Sequence, residues 1–505
     1  MIAYLLGMLY VGLTYLSTLT LVTATAVEYR KIDGSNNNLE HPQWGASGSP
    51  FLHLQAPAAY ADGLSEPAGA DRPNARFIST TAMASGDALN DEHVSNMLAA
   101  FGQFTSHDII DSMTDKTSFF NISVPCGDSF FDPSNTCDVV MPFLRLRRND
   151  NGNGVMSEIR NAQTHWLDAS HIYGPTTERL KLLRKFKQGL LRASMDELFL
   201  PGIPKTVEAL MLGMSPKNFF AGDVRANENP ALLAMHTLFL REHNRRVQYY
   251  SGLDSTLSDE ELFQMGRRWV IGCMQKITYY EYLPKVIGGP LPAYTGYDAS
   301  VNPAMDVTFF SSTFRYGHSA VNRLLFRLDE DWNEHPNGHM LLRDVILNPL
   351  PVINDGIEPV LRGLVAQLEQ KSDLNLVNDL RNFMPLKPFI NVPGPTFFDL
   401  AAFNIQRARD AGVPTYNVVR ESLGLSAAYT FADISSKVNV QKALSDAYGG
   451  DVTLVDSYVG EKPVALNRTK NKGLAEDRDG QAIVGPLFKA SILDQFTRLR
   501  GKRMF

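Results

Sequence analysis

A mainly α fold is predicted by three features of the sequence. Apolar side chains recur at the 3.6-residue helical period in several long segments. No succession of strand–helix–strand units appears, and the intervening stretches are long and rich in turn-forming residues. With 505 residues, 44% of them apolar, and no internal repeat, the chain can bury a large core in one big domain or in two or three ordinary ones. The formal net charge is −6 and Lys and Arg are scattered, so there is no basic stripe for a nucleic-acid backbone, and that partner is excluded.

Taken in order, the elements begin with a leader. No charged side chain precedes Glu28, and Ala24, Thr25 and Ala26 give the small-residue pattern that suits signal peptidase. Residues 1–26 are therefore read as the signal peptide of a secreted protein and 27–505 as its body. The alternative is an uncleaved membrane anchor, because the apolar run is long enough to span a bilayer. Residues 34–75, rich in Gly, Pro and Asn, are expected to wrap the surface as irregular chain. Asn90 or Asp91 is placed to cap a helix in which Val94, Met97, Leu98, Phe101 and Phe104 follow the helical period. On that helix Gln103 and His107 stand four apart and share one face.

Secretion would permit a disulfide between Cys126 and Cys137, which lie eleven residues apart in a turn-rich segment. The sequons at Asn121 and Asn467 fit the same compartment. A long helix starts at Pro230, a favoured first-turn residue. "RRWVIGCMQKI" reads as a buried helix in which Cys273 is an inert core thiol. A further helical stretch contains "FRYGHSAVNRLLF", and another covers "FFDLAAFNIQRARDAG", with Leu400, Phe403, Asn404 and Arg407 along one side.

Several polar clusters on these elements bear on chemistry. His107 alone reads as a hydrogen-bonded core histidine. Gln103 one turn earlier and Asp108 directly after it put three polar groups at one buried helix end, and such groups need partners or a ligand. His318 follows Gly317, which lets a bulky planar group approach the backbone; an imidazole can ligate haem iron when an acceptor on its other nitrogen sets its basicity. In "THWLDASHIYG", Thr164, Trp166, Asp168 and Ser170 alternate. The plain reading is an alternating strand, but in an extended loop these residues would present oxygens in one direction, and hydroxyls, a carboxylate and a carbonyl suit calcium. In "AGDVRANENPALL", Arg225 and Glu228 read by default as a surface ion pair; at a buried site the arginine could stabilise charge developing on an oxygen. "LREHNRR" lacks the second histidine of H-E-x-x-H, and no P-loop, Rossmann fingerprint or G-x-S-x-G is present.

From about Tyr29 to the end, an ordered series of motifs resembles the animal-type haem peroxidases of the peroxidase–cyclooxygenase superfamily. The motifs are "YRKIDGSNNN", "GQFTSHD", "MPFLRLRR", "THWLDASHIYG", "AGDVRANENPALLAMHTLFLREHNR", "MQKITYYEYLP", "FRYGHSAVN", "GIEPVLRGLVAQ" and "FNIQRARDAGVPTYN". The resemblance implies a mainly α catalytic domain with haem held between central helices, long loops and little β structure. It implies that His107 is the distal acid–base, with Gln103 and Arg225 beside it, and that His318 is the axial iron ligand, hydrogen-bonded to Asn404. Arg315 and Arg407 would lie near the haem propionates. Asp108, Thr164, Trp166 through its carbonyl, Asp168 and Ser170 would hold Ca2+. The implied cofactors are haem b and calcium, and the implied reaction reduces H2O2 and oxidises a small donor (iodide, bromide, thiocyanate or a phenol) through a ferryl intermediate.

The departures from the family pattern refine these expectations. Ser106 stands where many members carry a haem-esterifying aspartate, which leaves Glu228 as the one ester site. Asn229 replaces a methionine associated with chloride oxidation, so chloride is not expected as a substrate. Ser35, Ala411 and Lys502 replace a common cysteine, histidine and aspartate. One alternative is a fatty-acid dioxygenase, whose radical-forming tyrosine stands three residues before the proximal histidine; here that place is Arg315, and Tyr316 is one step nearer. The other is a peroxidase-like adhesion or matrix protein with an extracellular-matrix or cell-surface partner, although the sequence has no R-G-D tripeptide.

Overall fold

The computed structural model describes residues 29–84, 88–149, 154–204, 217–386, 394–460 and 482–501. The leader, the Asn467 sequon and Lys502 lie outside the described residues. Helices dominate: α1 (Ala75–Ala82), α2 (Met97–Ile109), α3 (Pro230–Leu253), α4 (Asp259–Ile277), α5 (Leu400–Asp410), α6 (Ser457–Gly460) and α7 (Pro486–Arg500) position the site. Among the described residues every β ladder is two-stranded and antiparallel. No described helix is long and apolar enough to cross a membrane.

The local chemistry explains where these helices start. Pro230 opens α3, and the Asn229 side chain accepts from the Leu232 N–H. Ser258 and Glu261 form a reciprocal capping box on α4. α3 and α4 pack closely because Gly266 leaves room: a Cβ there would lie 2.4 Å from Val247 Cγ1. At its end α4 widens into a π turn, Thr278–Tyr282, which delivers Tyr282 to α2. The Tyr282 hydroxyl rests on Gly102, where a Cβ would meet it at 2.7 Å, and lies 2.7 Å from the Tyr316 hydroxyl. Tyr316 belongs to the 3-10 turn Thr313–Ser319 that carries His318.

Buried charges tie distant parts of the chain together. Arg76, 2% exposed, donates to Asp128 at 2.7 Å and to Asp399 at 2.7 Å. Asp399 caps α5, and Asp128 sits in the loop closed by the Cys126–Cys137 disulfide, so one guanidinium joins α1, that loop and α5. Asp456 accepts from Arg72, Arg409 and the Tyr448 hydroxyl. Gln55 donates to the Ser491 carbonyl and the Asp494 carboxylate, fastening the N-terminal region to α7. The buried apolar residues form one contiguous cluster from Phe51 to Leu499.

Several local expectations are corrected. The helix carrying His107 begins at Met97, after Asn96, rather than at Asn90 or Asp91. Asn90 instead folds its side chain onto Val94, accepting from its N–H and donating to its carbonyl, while Ser95 bridges to Leu368. These bonds hold the segment out of the helix. "FRYGHSAVNRLLF" forms a short 3-10 turn and then a two-residue strand, Leu324–Leu325, not a longer helix. Phe397–Phe398 is likewise a strand preceding α5. Residues 34–75 are irregular as expected, yet Phe51, Ala56 and Tyr60 are buried, so this segment helps build the core. Cys273 is half-buried, and burial pushes its thiol up to about 12, which makes it unreactive.

Replacing Arg76 with Met leaves two buried carboxylates without their cation. The expected cost is about 3–5 kcal/mol in denaturant unfolding; a loss below about 1 kcal/mol would show that the three-way tie is not needed.

Candidate functional site

α2 and the turn before α3 bring the first group of polar residues together. Gln103 Nε2 donates to Glu228 Oε2 at 2.8 Å, and Asn229 Nδ2 donates to Gln103 Oε1 at 3.0 Å. His107 Nε2 lies 3.9 Å from Glu228 Oε2, while its Nδ1 has no protein partner. Burial, reinforced by the charge of Arg225, holds the His107 imidazole well below its ordinary pKa, so it is neutral at physiological pH. Burial also pushes the Glu228 carboxyl up to about 7, against the pull of Arg225.

Arg225 does not form the surface ion pair with Glu228 that is its default reading. Its partner is Asp223, which accepts from the Arg225 backbone N–H at 2.7 Å and from Nε at 2.9 Å, with Nη2 on the second oxygen. Gln163 Nε2 donates to the same carboxylate at 2.7 Å, and Arg225 Nη2 also donates to the Ile110 carbonyl at 2.7 Å. Burial alone would raise the Asp223 carboxyl, but the Arg225 guanidinium more than offsets it and holds it far below the carboxylate range. Sequence reasoning passed over Asp223; the signal was a carboxylate two residues before the arginine at a short helix start.

On the opposite wall, His318 Nδ1 lies 2.8 Å from Asn404 Nδ2. Arg315 Nη1 donates to Asn404 Oδ1 at 3.1 Å and its Nε to the Phe310 carbonyl at 3.1 Å. The Tyr458 hydroxyl, on α6, is 2.9 Å from Asn404 Nδ2 and was likewise missed. Arg407 donates to the Leu144 carbonyl at 3.2 Å and stacks 4.3 Å from the Phe143 ring centroid. Burial lowers both Arg315 and Arg407 to about 10.

The two groups of residues lie within electrostatic reach of one another. Arg225 and Glu228 lie deep in the protein, yet their side chains stay 22% and 32% exposed, so the surface they expose is internal. Arg315 on the far wall feels the charges of both. A Cβ at Gly317 would meet nothing within 4 Å. Open space beside His318, a neutral histidine opposite, and arginines that can receive carboxylates fit a flat haem with its propionates.

A second cluster lies directly behind α2. Asp108 accepts from the N–H groups of Ser170 at 2.6 Å and Ala169 at 3.1 Å, and its carbonyl accepts from the Ser170 hydroxyl at 2.7 Å. The Thr164 hydroxyl donates to Asp168 Oδ1 at 2.8 Å and lies 3.4 Å from the Trp166 carbonyl. These residues do not alternate along an extended strand. Ala169 is left-handed, with φ 61°, and Ser170–Tyr173 is a helical turn, so the chain curls its oxygens around Asp108. Burial pushes both the Asp108 and Asp168 carboxyls up, and the charge of Asp108 adds to the effect on Asp168. Among the described residues no three His, Cys, Asp or Glu side chains gather as a metal site. Here, however, two buried carboxylates, neutral oxygens and an unpartnered Asp168 Oδ2 meet the needs of a hard cation. His171 Nδ1, 3.1 Å from Asp108 Oδ1, is a neighbour that sequence reasoning did not place there.

Comparison with known proteins agrees with this architecture. Residues 29–505 match the profile of the family described as animal haem peroxidase. The chain is 32% identical to peroxinectin A from Dictyostelium discoideum over 515 residues, covering 97% of this chain and 90% of that protein. It superposes on peroxidase A from Dictyostelium discoideum with a TM-score of 0.83 at 30% identity, covering 94% of this chain and 92% of that one. A fatty acid alpha-dioxygenase from Arabidopsis thaliana shares the fold, with a TM-score of 0.77 at 21% identity over 94% of this chain and 74% of that chain.

Asp223→Ala would leave the Arg225 guanidinium without its counter-ion. It is expected to cost about 3 kcal/mol in equilibrium unfolding; full stability in that variant would show that Arg225 is not held by this pair.

Proposed function

This chain belongs to the animal haem peroxidase family, and from that premise we propose that it reduces hydrogen peroxide in the cleft and oxidises small donors: iodide, bromide, thiocyanate or phenols. The bound haem supplies the iron at which peroxide is reduced and the store for the oxidising equivalents. His318 would hold the iron, Arg315 and Arg407 would receive the propionates, and Glu228 would offer the one ester site. The observation that carries this reading is the pairing of His107 and Arg225 on one wall of the cleft with His318 and Asn404 on the other.

His107 works through Nε2, the nitrogen turned towards Glu228. Being neutral, it accepts a proton from the incoming peroxide and returns it to the departing oxygen. Arg225, locked by Asp223, keeps its charge fixed where negative charge develops on that oxygen, so no reorganisation is needed at the moment of bond breaking. Gln103 is bonded to both Glu228 and Asn229 and so cannot swing into the space peroxide needs. A dioxygenase reading draws no support from the site: Arg315 occupies the tyrosine's place and bonds Asn404, and the Tyr316 hydroxyl is held by Tyr282. The second cluster is a calcium site that fixes the C-terminal end of α2. The leader pattern and the Cys126–Cys137 disulfide support secretion.

In the haem-loaded protein one equivalent of peroxide is expected to shift the Soret band, and iodide or a phenol, but not chloride, to restore it. His107→Ala should slow the shift by about 10²–10⁴-fold. In Glu228→Gln, which removes the carboxyl that burial pushes up to about 7 beside Nε2, the rate should stay flat as pH falls through 6.5, the ordinary histidine value, because His107 titrates well below it. An unchanged rate in His107→Ala, or a midpoint near 6.5 in Glu228→Gln, would remove His107 from the reaction. Chelation of calcium is expected to lower the melting temperature at neutral pH, and Asp168→Asn to shrink that difference; equal melting with and without chelator would sink the calcium assignment.

A further inference from the structure

Tyr458 is fully buried and stands behind the proximal histidine. Its hydroxyl is 2.9 Å from Asn404 Nδ2, the atom that also lies 2.8 Å from His318 Nδ1. Asn404 Oδ1 is turned the other way, towards Arg315 Nη1 at 3.1 Å. An amide nitrogen only donates, so His318 Nδ1 accepts in this arrangement, and the neutral imidazole then carries its proton on Nε2. A metal-bound imidazole needs the reverse: a lone pair towards the metal and a proton on Nδ1, given to an acceptor.

We propose that Tyr458 is a positioning residue that lets the Asn404 amide face His318 with either end, and that in the haem-bound enzyme it sets the basicity of His318. The proposal rests on the reading of His318 as the axial ligand. Turning the amide places Oδ1 against His318 and Nδ2 against Arg315, donor on donor, so Arg315 must release Asn404. A haem propionate offers that guanidinium a charged and stronger partner. A carbonyl in the place of Tyr458 would block the turn, because it could only accept. A hydroxyl follows it, because it both donates and accepts. Burial keeps the Tyr458 phenol well above its ordinary pKa, so its proton stays in place for the second arrangement.

After the turn, Oδ1 receives two hydrogen bonds, one from His318 Nδ1 and one from Tyr458. Sharing the oxygen weakens each, so the imidazole gives up less of its proton and donates less electron density to iron. The proton that leaves Nε2 is matched by the one on Nδ1, and the net charge of the wall does not change.

Two measurements test this. In wild-type apoprotein labelled with [15N]histidine, with the signal assigned by its loss in His318→Ala, Nδ1 of His318 is expected at the unprotonated position; a protonated Nδ1 overturns the amide turn. In haem-loaded Tyr458→Phe, the Fe–N(His318) stretching band is expected to rise in frequency and the ferric/ferrous midpoint potential to become more negative. Neither shift would come from a merely structural role, and a folded, haem-loaded variant with both unmoved overturns the proposal. If the variant does not fold, the wild-type tautomer decides alone. A wild-type protein that takes up no haem would instead defeat the axial-ligand reading, and the apoprotein spectrum would still judge the Asn404–Tyr458 geometry.

Discussion

Two phenol hydroxyls 2.7 Å apart join the elements that carry the two groups of site residues. Tyr282 comes from the π turn at the end of α4 and is seated on Gly102 of α2, one residue before Gln103. Tyr316 comes from the turn that carries His318. Their contact links α2, which bears Gln103 and His107, to the segment that bears His318. Tyr282 and Tyr316 are both buried, and burial raises both phenols, so the contact stays neutral at physiological pH.

Charges placed around this contact follow one rule: each buried ion has several partners. Arg76 has two carboxylates, Asp456 two guanidiniums and a phenol, and Asp223 receives the arginine through three nitrogens. Such pairs add little net stability over apolar packing. They do penalise every arrangement in which a partner is missing, and this gives the walls a single geometry. The exception is the pair of carboxylates Asp108 and Asp168, which face each other with an oxygen unpartnered. Under the proposed calcium assignment, the order of α2 is coupled to the cation that meets this requirement.

Much of this was legible in the sequence, and the limits are physical. The 3.6-residue period found α2 and α5, and Pro230 marked the start of α3 to the residue. The pairing of Gln103 with His107 was visible because both lie on one helix. Asn90 was misread because an asparagine that can cap a helix can equally fold back on its own chain, and a pairing with Gln367–Gln370, far along the sequence, decided between them. The calcium-type oxygens were found by residue type but not by conformation: a left-handed alanine has no sequence signature. Tyr458 was missed because its partner Asn404 lies across the fold, and period and motif report neighbours along the chain. Asp223, two residues before Arg225, was within reach of the sequence and was passed over.

The bonds between Gln55 and α7 carry a consequence for how such a protein is made. They join positions 436 residues apart. At about 5–20 residues per second, a growing chain waits roughly 20–90 s between exposing one half of that contact and receiving the other. Asn404 and Tyr458 also come late, following α2 by some three hundred residues. Throughout that interval the apolar faces meant to enclose the cleft are open to water and to other nascent chains. Biogenesis of this molecule is thus governed less by any one helix than by the time its beginning must be shielded until its end arrives.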